Sequence, residues 1–125
     1  MKLLTRIIMF ALAIAAAALA RAEPFDARTF DAAQTAGKPV LVEVHAPWCA
    51  TCAKKKPVIR ELLARPDLKQ YRLFTIDFDS QKDLLKRFGV QWQSTLIVYK
   101  GRQEVGRSTG ETDKQKIAAL LQKAL

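Results

Sequence analysis

Two cysteines three residues apart carry the clearest chemical signal in this 125-residue sequence. Cys49 and Cys52 lie in a Pro-Trp-Cys-Ala-Thr-Cys segment that directly follows the apolar run of residues 40–44. At a junction between a strand and a helix, such a pair can close a disulfide within one helical turn, and the free N–H groups of the first turn favour a thiolate on the first sulfur. The sequence contains no other cysteine, so any intramolecular disulfide joins these two residues. The spacing therefore predicts thiol redox chemistry.

The first 22 residues have the pattern of an export signal. Lys2 and Arg6 form a basic start, residues 7–20 are apolar, and residues 20–22 (Ala-Arg-Ala) offer a cleavage site between small residues. The apolar run is shorter than the roughly 20 residues that span a bilayer, and an uncleaved membrane anchor is the alternative. We expect a cleaved signal peptide at residues 1–22, a periplasmic location and one domain at residues 23–125.

The chain is basic, with a formal net charge of +9. A basic chain can bind nucleic acid, but no aromatic residues interleave with the lysines and arginines as a single-strand binding groove requires. We therefore expect no nucleic-acid partner, and we interpret the charge as a source of solubility and of mild attraction for acidic proteins or an anionic membrane face. The length after residue 22 allows one small domain, which we expect to be a monomer.

Helical and strand periodicities alternate along the rest of the chain. The apolar pattern predicts helices over residues 26–36, 49–64 and 80–88 and a last helix from residue 112, with strands over residues 40–44, 72–77, 95–99 and 104–108. Asp26 is the predicted cap of the first helix, while Ser80 and Thr112 each begin a predicted capping box. Gly37 and Gly89 are the predicted helix ends. The predicted order of elements is αβαβαββα.

The segment of residues 41–52, with Pro57 five positions after the second cysteine, resembles the thioredoxin family. The resemblance covers essentially all of residues 23–125. It implies an α/β thioredoxin fold, in which a central mixed β-sheet is flanked by helices, and exchange of electrons with protein or peptide disulfides. No cofactor is expected, and without a flavin or nicotinamide site a membrane thiol-electron transporter is the expected electron donor.

The resemblance also assigns roles to individual residues. Carried over position by position, Cys49 is the exposed attacking cysteine, Cys52 the buried resolving cysteine and Trp48 an aromatic lid. Glu43 stands where most relatives have a buried aspartate, and it is expected to accept the proton of Cys52. A strand residue pointing at solvent is the alternative for Glu43, but its apolar neighbours on both sides favour burial.

The largest departure from the family lies just before the strand of residues 95–99, where Ser94 occupies the position of a cis-proline. A cis peptide before a residue other than proline costs about 2.5 to 4 kcal/mol, so we predict a trans Gln93–Ser94 bond. Trp92, Gln93 and Ser94 are expected to border the cysteines and contact substrate. The alternatives are an ordinary loop serine with a solvent partner and a Trp92 that packs against Trp48 or the base of the loop.

Further departures concern charge near the expected site. The lysine that usually faces the buried acid maps onto Thr75, so Glu43 is expected to lack a charged partner. Three lysines, at positions 54–56, follow the second cysteine; at least one is expected at the rim of the site and the others on a solvated helix face.

The direction of electron flow and a competing function stay open at this point. The Ala-Thr pair between the cysteines matches neither typical reducing nor strongly oxidising relatives, and the small single domain favours a reductase or electron relay. His45, the only histidine, could tune the pKa of Cys49. Together with Cys49 and Cys52 it also offers three possible metal ligands, so the alternative function is a metal carrier or a non-catalytic binding module.

Overall fold

The computed structural model describes residues 22–125. Nine elements follow one another: β1 (Glu23–Pro24), α1 (Ala27–Thr35), β2 (Pro39–His45), α2 (Ala50–Leu63), β3 (Arg72–Asp77), α3 (Lys82–Phe88), β4 (Thr95–Lys100), β5 (Gln103–Thr109) and α4 (Lys114–Gln122). The predicted order is confirmed, with the two-residue β1 as an addition. The predicted signal peptide lies outside the described residues except for Ala22.

The five strands form one mixed sheet in the order β1-β3-β2-β4-β5. β3 runs parallel to β1 and β2, whereas β4 runs antiparallel to β2 and β5. This topology brings the C-terminal end of β2 and the N-terminal end of β4 to the same end of the sheet. α2 begins at that end, because it follows β2 directly.

The central strand β2 is buried on both faces, as its continuous apolar run predicts. Val40, Val42 and Val44 pack on one face against aromatic residues of α1 and α3. Leu41 packs on the other face against the apolar sides of α2 and α4. Glu43 shares this second face, because side chains alternate along a strand. The acid therefore lies beneath the helices rather than at the sheet edge.

Two of the predicted helix caps are wrong. The Asp113 side chain, rather than Thr112, caps α4 by accepting a hydrogen bond from the N–H of Lys116 at 2.9 Å. Ser80 does not cap α3, because Oδ1 of Asp77 accepts hydrogen bonds from both its N–H and its hydroxyl. A local turn at the end of β3 thus competes successfully for the serine. The predicted caps at Asp26 and Gly89 are confirmed.

Among residues 22–125, none of the helices is long and apolar enough to cross a bilayer.

Candidate active site

The predicted cysteine pair lies at the start of α2 and is closed as a disulfide. Cys49 is the N-cap of the helix, and the two Cα atoms are 5.2 Å apart. The sulfur of Cys49 accepts hydrogen bonds from the N–H of Cys52 at 3.1 Å and from the hydroxyl of Thr51 at 3.3 Å. These donors and the positive end of the helix dipole stabilise a thiolate on Cys49 when the disulfide is reduced.

The two cysteines do not differ in exposure as expected. Cys49 is 4% exposed and Cys52 is 6% exposed, so the expectation of an exposed Cys49 is wrong for the disulfide form. The reason is packing, since both residues join Ala46 and Phe78 in one apolar cluster. The cysteines still differ in position, because the sulfur of Cys52 points inward and lies 3.9 Å from the carbonyl oxygen of Val44.

Two tryptophans are largely exposed at this end of the molecule. Trp48, directly before the disulfide, is 60% exposed, and its indole N–H donates to Oδ2 of Asp79 at 2.9 Å. Its ring meets Phe78 edge-on, with ring centroids 6.2 Å apart. Trp92 is 64% exposed, and its carbonyl accepts a hydrogen bond from the Thr95 hydroxyl at 2.7 Å. Exposure of this extent does not support the alternative in which Trp92 packs against Trp48.

Ser94 joins the loop before β4 to the strand that leads into the disulfide. Its N–H donates to the carbonyl of Val44 at 2.8 Å, and that same carbonyl oxygen faces the sulfur of Cys52. The Gln93–Ser94 peptide is trans, as predicted, and Ser94 has a φ of 62°. Because Ser94 is buried and bonded to protein groups, the alternative of an ordinary loop serine with a solvent partner is wrong. The adjacent Gln93 is partly exposed.

Lys55 is the functional residue that sequence reasoning missed. Its side chain is buried, with 2% of the residue exposed, and Nζ donates to the carbonyl and the hydroxyl of Ser94 at 2.6 and 2.8 Å. The expected solvated helix face holds for Lys54 and Lys56, which are exposed, but it is wrong for Lys55. Helical spacing was the available signal, since position 55 shares the buried face of α2 with Cys52 and Ile59.

Burial and nearby positive charges act on Glu43 in opposite directions. Glu43 is partly buried, and desolvation raises its pKa, while the positive charges of His45, Lys55 and Lys56 oppose that shift. Lys55 adds positive charge near the acid from α2, but within residues 22–125 no lysine, arginine or histidine forms an ion pair with Glu43. Desolvation in turn lowers the pKa of Lys55 to about 8, and the charge of Glu43 opposes this change.

A cavity of about 310 Å³ adjoins Glu43 on this side of the sheet. It is lined by charged and polar residues together with Ala22 and Pro24: Glu43, His45, Lys56, Thr75, Asp77 and Gln81. His45 thus lies beside Asp77, its register partner on β3. Within residues 22–125, no three His, Cys, Asp or Glu side chains are grouped as metal ligands. The geometry adds no support to the metal-carrier alternative.

Comparisons with known proteins agree on the class of this fold and site. The family model described as Thioredoxin matches residues 21–123. The thioredoxin of Chlamydia muridarum is 36% identical over 84 residues, which cover 67% of this chain and 80% of the relative. The crystal structure of Trxlp from Edwardsiella tarda superposes with a TM-score of 0.78 at 42% identity, covering 81% of this chain and 98% of that one. The chain belongs to the thioredoxin family.

A second kind of relative is longer. The protein disulfide-isomerase erp38 of Neurospora crassa is 36% identical over 107 residues, which cover 83% of this chain but only 29% of the relative. Family membership and the Cys49–Cys52 disulfide define a thioredoxin-like oxidoreductase, of a family that acts on protein disulfides.

Proposed function

We propose that this protein is an exported thiol-disulfide oxidoreductase that works in the periplasm as a reductase or electron relay for protein disulfides. The observation that carries the proposal is the disulfide at the N-terminus of α2, placed beside the exposed Trp48 and the loop of Trp92. Export rests on the pattern of residues 1–22, and the preference for reduction rests on the small single domain.

The reaction begins with the reduced pair. The Cys49 thiolate attacks one sulfur of a substrate disulfide, so that a mixed disulfide forms and the first substrate sulfur leaves as a thiolate. Cys52 then loses its proton and attacks the sulfur of Cys49. The mixed disulfide breaks, and the second substrate sulfur leaves as a thiolate. Two electrons have passed from the cysteine pair to the substrate, and the Cys49–Cys52 disulfide has re-formed.

Glu43 is the proposed acceptor for the proton of Cys52. Burial raises the pKa of Glu43 toward neutral pH, and a general base works best when its pKa is near the operating pH. The adjoining cavity offers a route for that proton to reach solvent. The place of Glu43 on the inner face of β2 and the inward position of the Cys52 sulfur support a role in the second step.

The exposed surface around the disulfide is the proposed substrate-binding site. Trp48 and Trp92 present large apolar rings to solvent, and such rings supply much of the binding energy in protein contacts. Gln93 and Ser94 complete this edge of the site, with Ser94 held next to Cys52 through Val44. An unfolded or flexible protein segment that carries a disulfide fits an open surface of this kind.

The direction of electron flow is tested by equilibrating the protein that lacks residues 1–22 with glutathione buffers. In this equilibrium the protein disulfide and two glutathione thiols convert to the protein dithiol and one glutathione disulfide. A potential near that of reducing thioredoxins, about −270 mV, supports the reductase, whereas a value near −120 mV would establish a strong oxidant. Reduction of insulin with dithiothreitol as electron source tests the activity itself.

Export and electron supply need separate experiments. Expression of the full chain in a Gram-negative host, followed by fractionation and N-terminal sequencing, should yield a periplasmic product that starts at Glu23. A product retained in the cytoplasm with residues 1–22 attached would refute export. A membrane thiol-electron transporter is the proposed donor, and its deletion should leave the Cys49–Cys52 pair oxidised in cells.

A further inference from the structure

Lys55 is a buried ammonium group with a single polar neighbour in hydrogen-bond contact. Its two hydrogen bonds both go to Ser94, to the carbonyl at 2.6 Å and to the hydroxyl at 2.8 Å. A lysine is rarely buried to this extent, since removal of its charge from water is unfavourable. The exposed Lys54, one position earlier, shows that α2 can carry a lysine without that penalty.

Ser94 needs such support because of its backbone conformation. Its φ of 62° lies in the left-handed region, which serine adopts at an energetic disadvantage. Three neighbours fix the residue in this conformation. The N–H of Ser94 donates to Val44 on β2, its carbonyl accepts from the N–H of Gly110 at 3.0 Å, and Lys55 of α2 binds the carbonyl and the hydroxyl.

We propose that Lys55 is a positioning residue that locks the loop of residues 92–94 beside the disulfide through Ser94, so that protein substrates meet a preformed edge. The lock connects α2, which carries both cysteines, to the loop that carries the exposed Trp92. Lys55 contacts neither sulfur, so its effect on the reaction acts through Ser94. This inference rests on the proposed thiol-disulfide exchange and adds a determinant of substrate binding to it.

Lys55→Met tests the lock, because methionine keeps an unbranched apolar side chain and removes the donors. We expect the KM for insulin to rise about tenfold, the scale expected for loss of hydrogen bonds from a charged donor. The rise in KM should be larger than any fall in kcat, because Lys55 acts on the substrate-binding loop through Ser94.

Lys54→Met is the matched control, because Lys54 is the preceding residue, carries the same charge and is exposed. It should leave KM unchanged. An unchanged KM in Lys55→Met would overturn the proposal, as would an equal rise in both lysine variants, which would indicate a general effect of charge. Ser94→Ala removes the hydroxyl acceptor, and its effect on KM should not add to that of Lys55→Met if the two residues act as one unit.

A measurement independent of catalysis separates the lock from the proposed function. The amide proton of Ser94 is held by Val44, and its exchange with deuterated water reports opening of the loop. It should exchange faster in Lys55→Met than in wild type or Lys54→Met. A wild-type protein that fails to reduce insulin would refute the proposed function alone. Unchanged Ser94 exchange in Lys55→Met would refute the lock whatever the activity.

Discussion

Lys55 and Ser94 are 39 residues apart in sequence, yet the lysine Nζ lies within 2.8 Å of both oxygens of the serine. The contact joins the helix that carries the redox disulfide to the loop that enters β4. Ser94 also donates to Val44, whose carbonyl faces Cys52. One buried lysine thus connects the start of α2, with its two cysteines, to the loop that precedes β4.

The first prediction separates the roles of the cysteines. Cys49→Ser should abolish disulfide exchange, because it removes the thiolate that attacks substrate. Cys52→Ser should trap substrates as mixed disulfides with Cys49, because only the resolving step is lost. Non-reducing gels of tagged protein purified from cells measure the trapped species. Trapping by Cys49→Ser and none by Cys52→Ser would show that the roles are reversed.

The second prediction concerns Glu43. Glu43→Gln should slow resolution of the mixed disulfide about a hundredfold near neutral pH, the low end for loss of a general base, and leave the first attack little changed. Rapid-mixing kinetics with a disulfide peptide resolve the two steps. Equal slowing of both steps would indicate a structural role instead.

Glu43→Gln should also change how the free energy of unfolding depends on pH. Because burial raises the pKa of Glu43 in the folded state, ionisation of the carboxyl opposes folding, and the destabilisation appears as pH rises through the ordinary range of a glutamate. Glu43→Gln should therefore be relatively more stable at pH 7 than at pH 4. Urea unfolding at the two values, each compared with wild type, provides the test; a difference that does not change with pH would contradict it.

The fourth prediction concerns the pH dependence that Lys55 imposes on stability. Its pKa is about 8 when folded, against roughly 10.4 in an unfolded chain. Between these values the unfolded state binds more protons, so this group's contribution to the free energy of unfolding rises with pH. The stability of Lys55→Met relative to wild type should therefore be highest below pH 8 and should fall as pH approaches 10. Urea unfolding across this range measures it, and a difference that stays constant with pH would refute the assignment.

The fifth prediction concerns Ser94→Pro, which introduces the proline that the resemblance to the family led us to expect at this position. Proline requires a φ near −65° and has no N–H, whereas Ser94 has a φ of 62° and donates to Val44. The substitution should destabilise the protein by about 3 kcal/mol in urea unfolding. Ser94→Gly is the comparison variant, because glycine accepts the positive φ and keeps the N–H and loses only the hydroxyl that binds Lys55, so it should destabilise the protein less than Ser94→Pro does. Equal stability of the proline variant would show that the loop can rearrange.

Much of the fold could be predicted from residue patterns that act locally. The apolar runs and their periods predict the order of helices and strands, because the spacing of apolar residues matches the period of each element and marks its one or two buried faces. The position of Cys49 and Cys52 at the junction of β2 and α2 predicts the redox pair for the same reason. The caps predicted at Ser80 and Thr112 were wrong, because Asp77 binds the N–H and hydroxyl of Ser80, and Asp113 caps α4 one residue after Thr112.

The surroundings of the disulfide depended on contacts between distant segments. Sequence alone placed the residue types at positions 43, 55 and 94, and the spacing of α2 was compatible with a buried Lys55. Only the packing of α2 on β2, together with the antiparallel pairing of β4 with β2, brought Lys55 to Ser94 and near enough to Glu43 for their charges to interact. Burial then decided the charge states, because the free energy of an ionised group depends on the solvent and charges around it, and the chain supplies these from segments far apart in sequence.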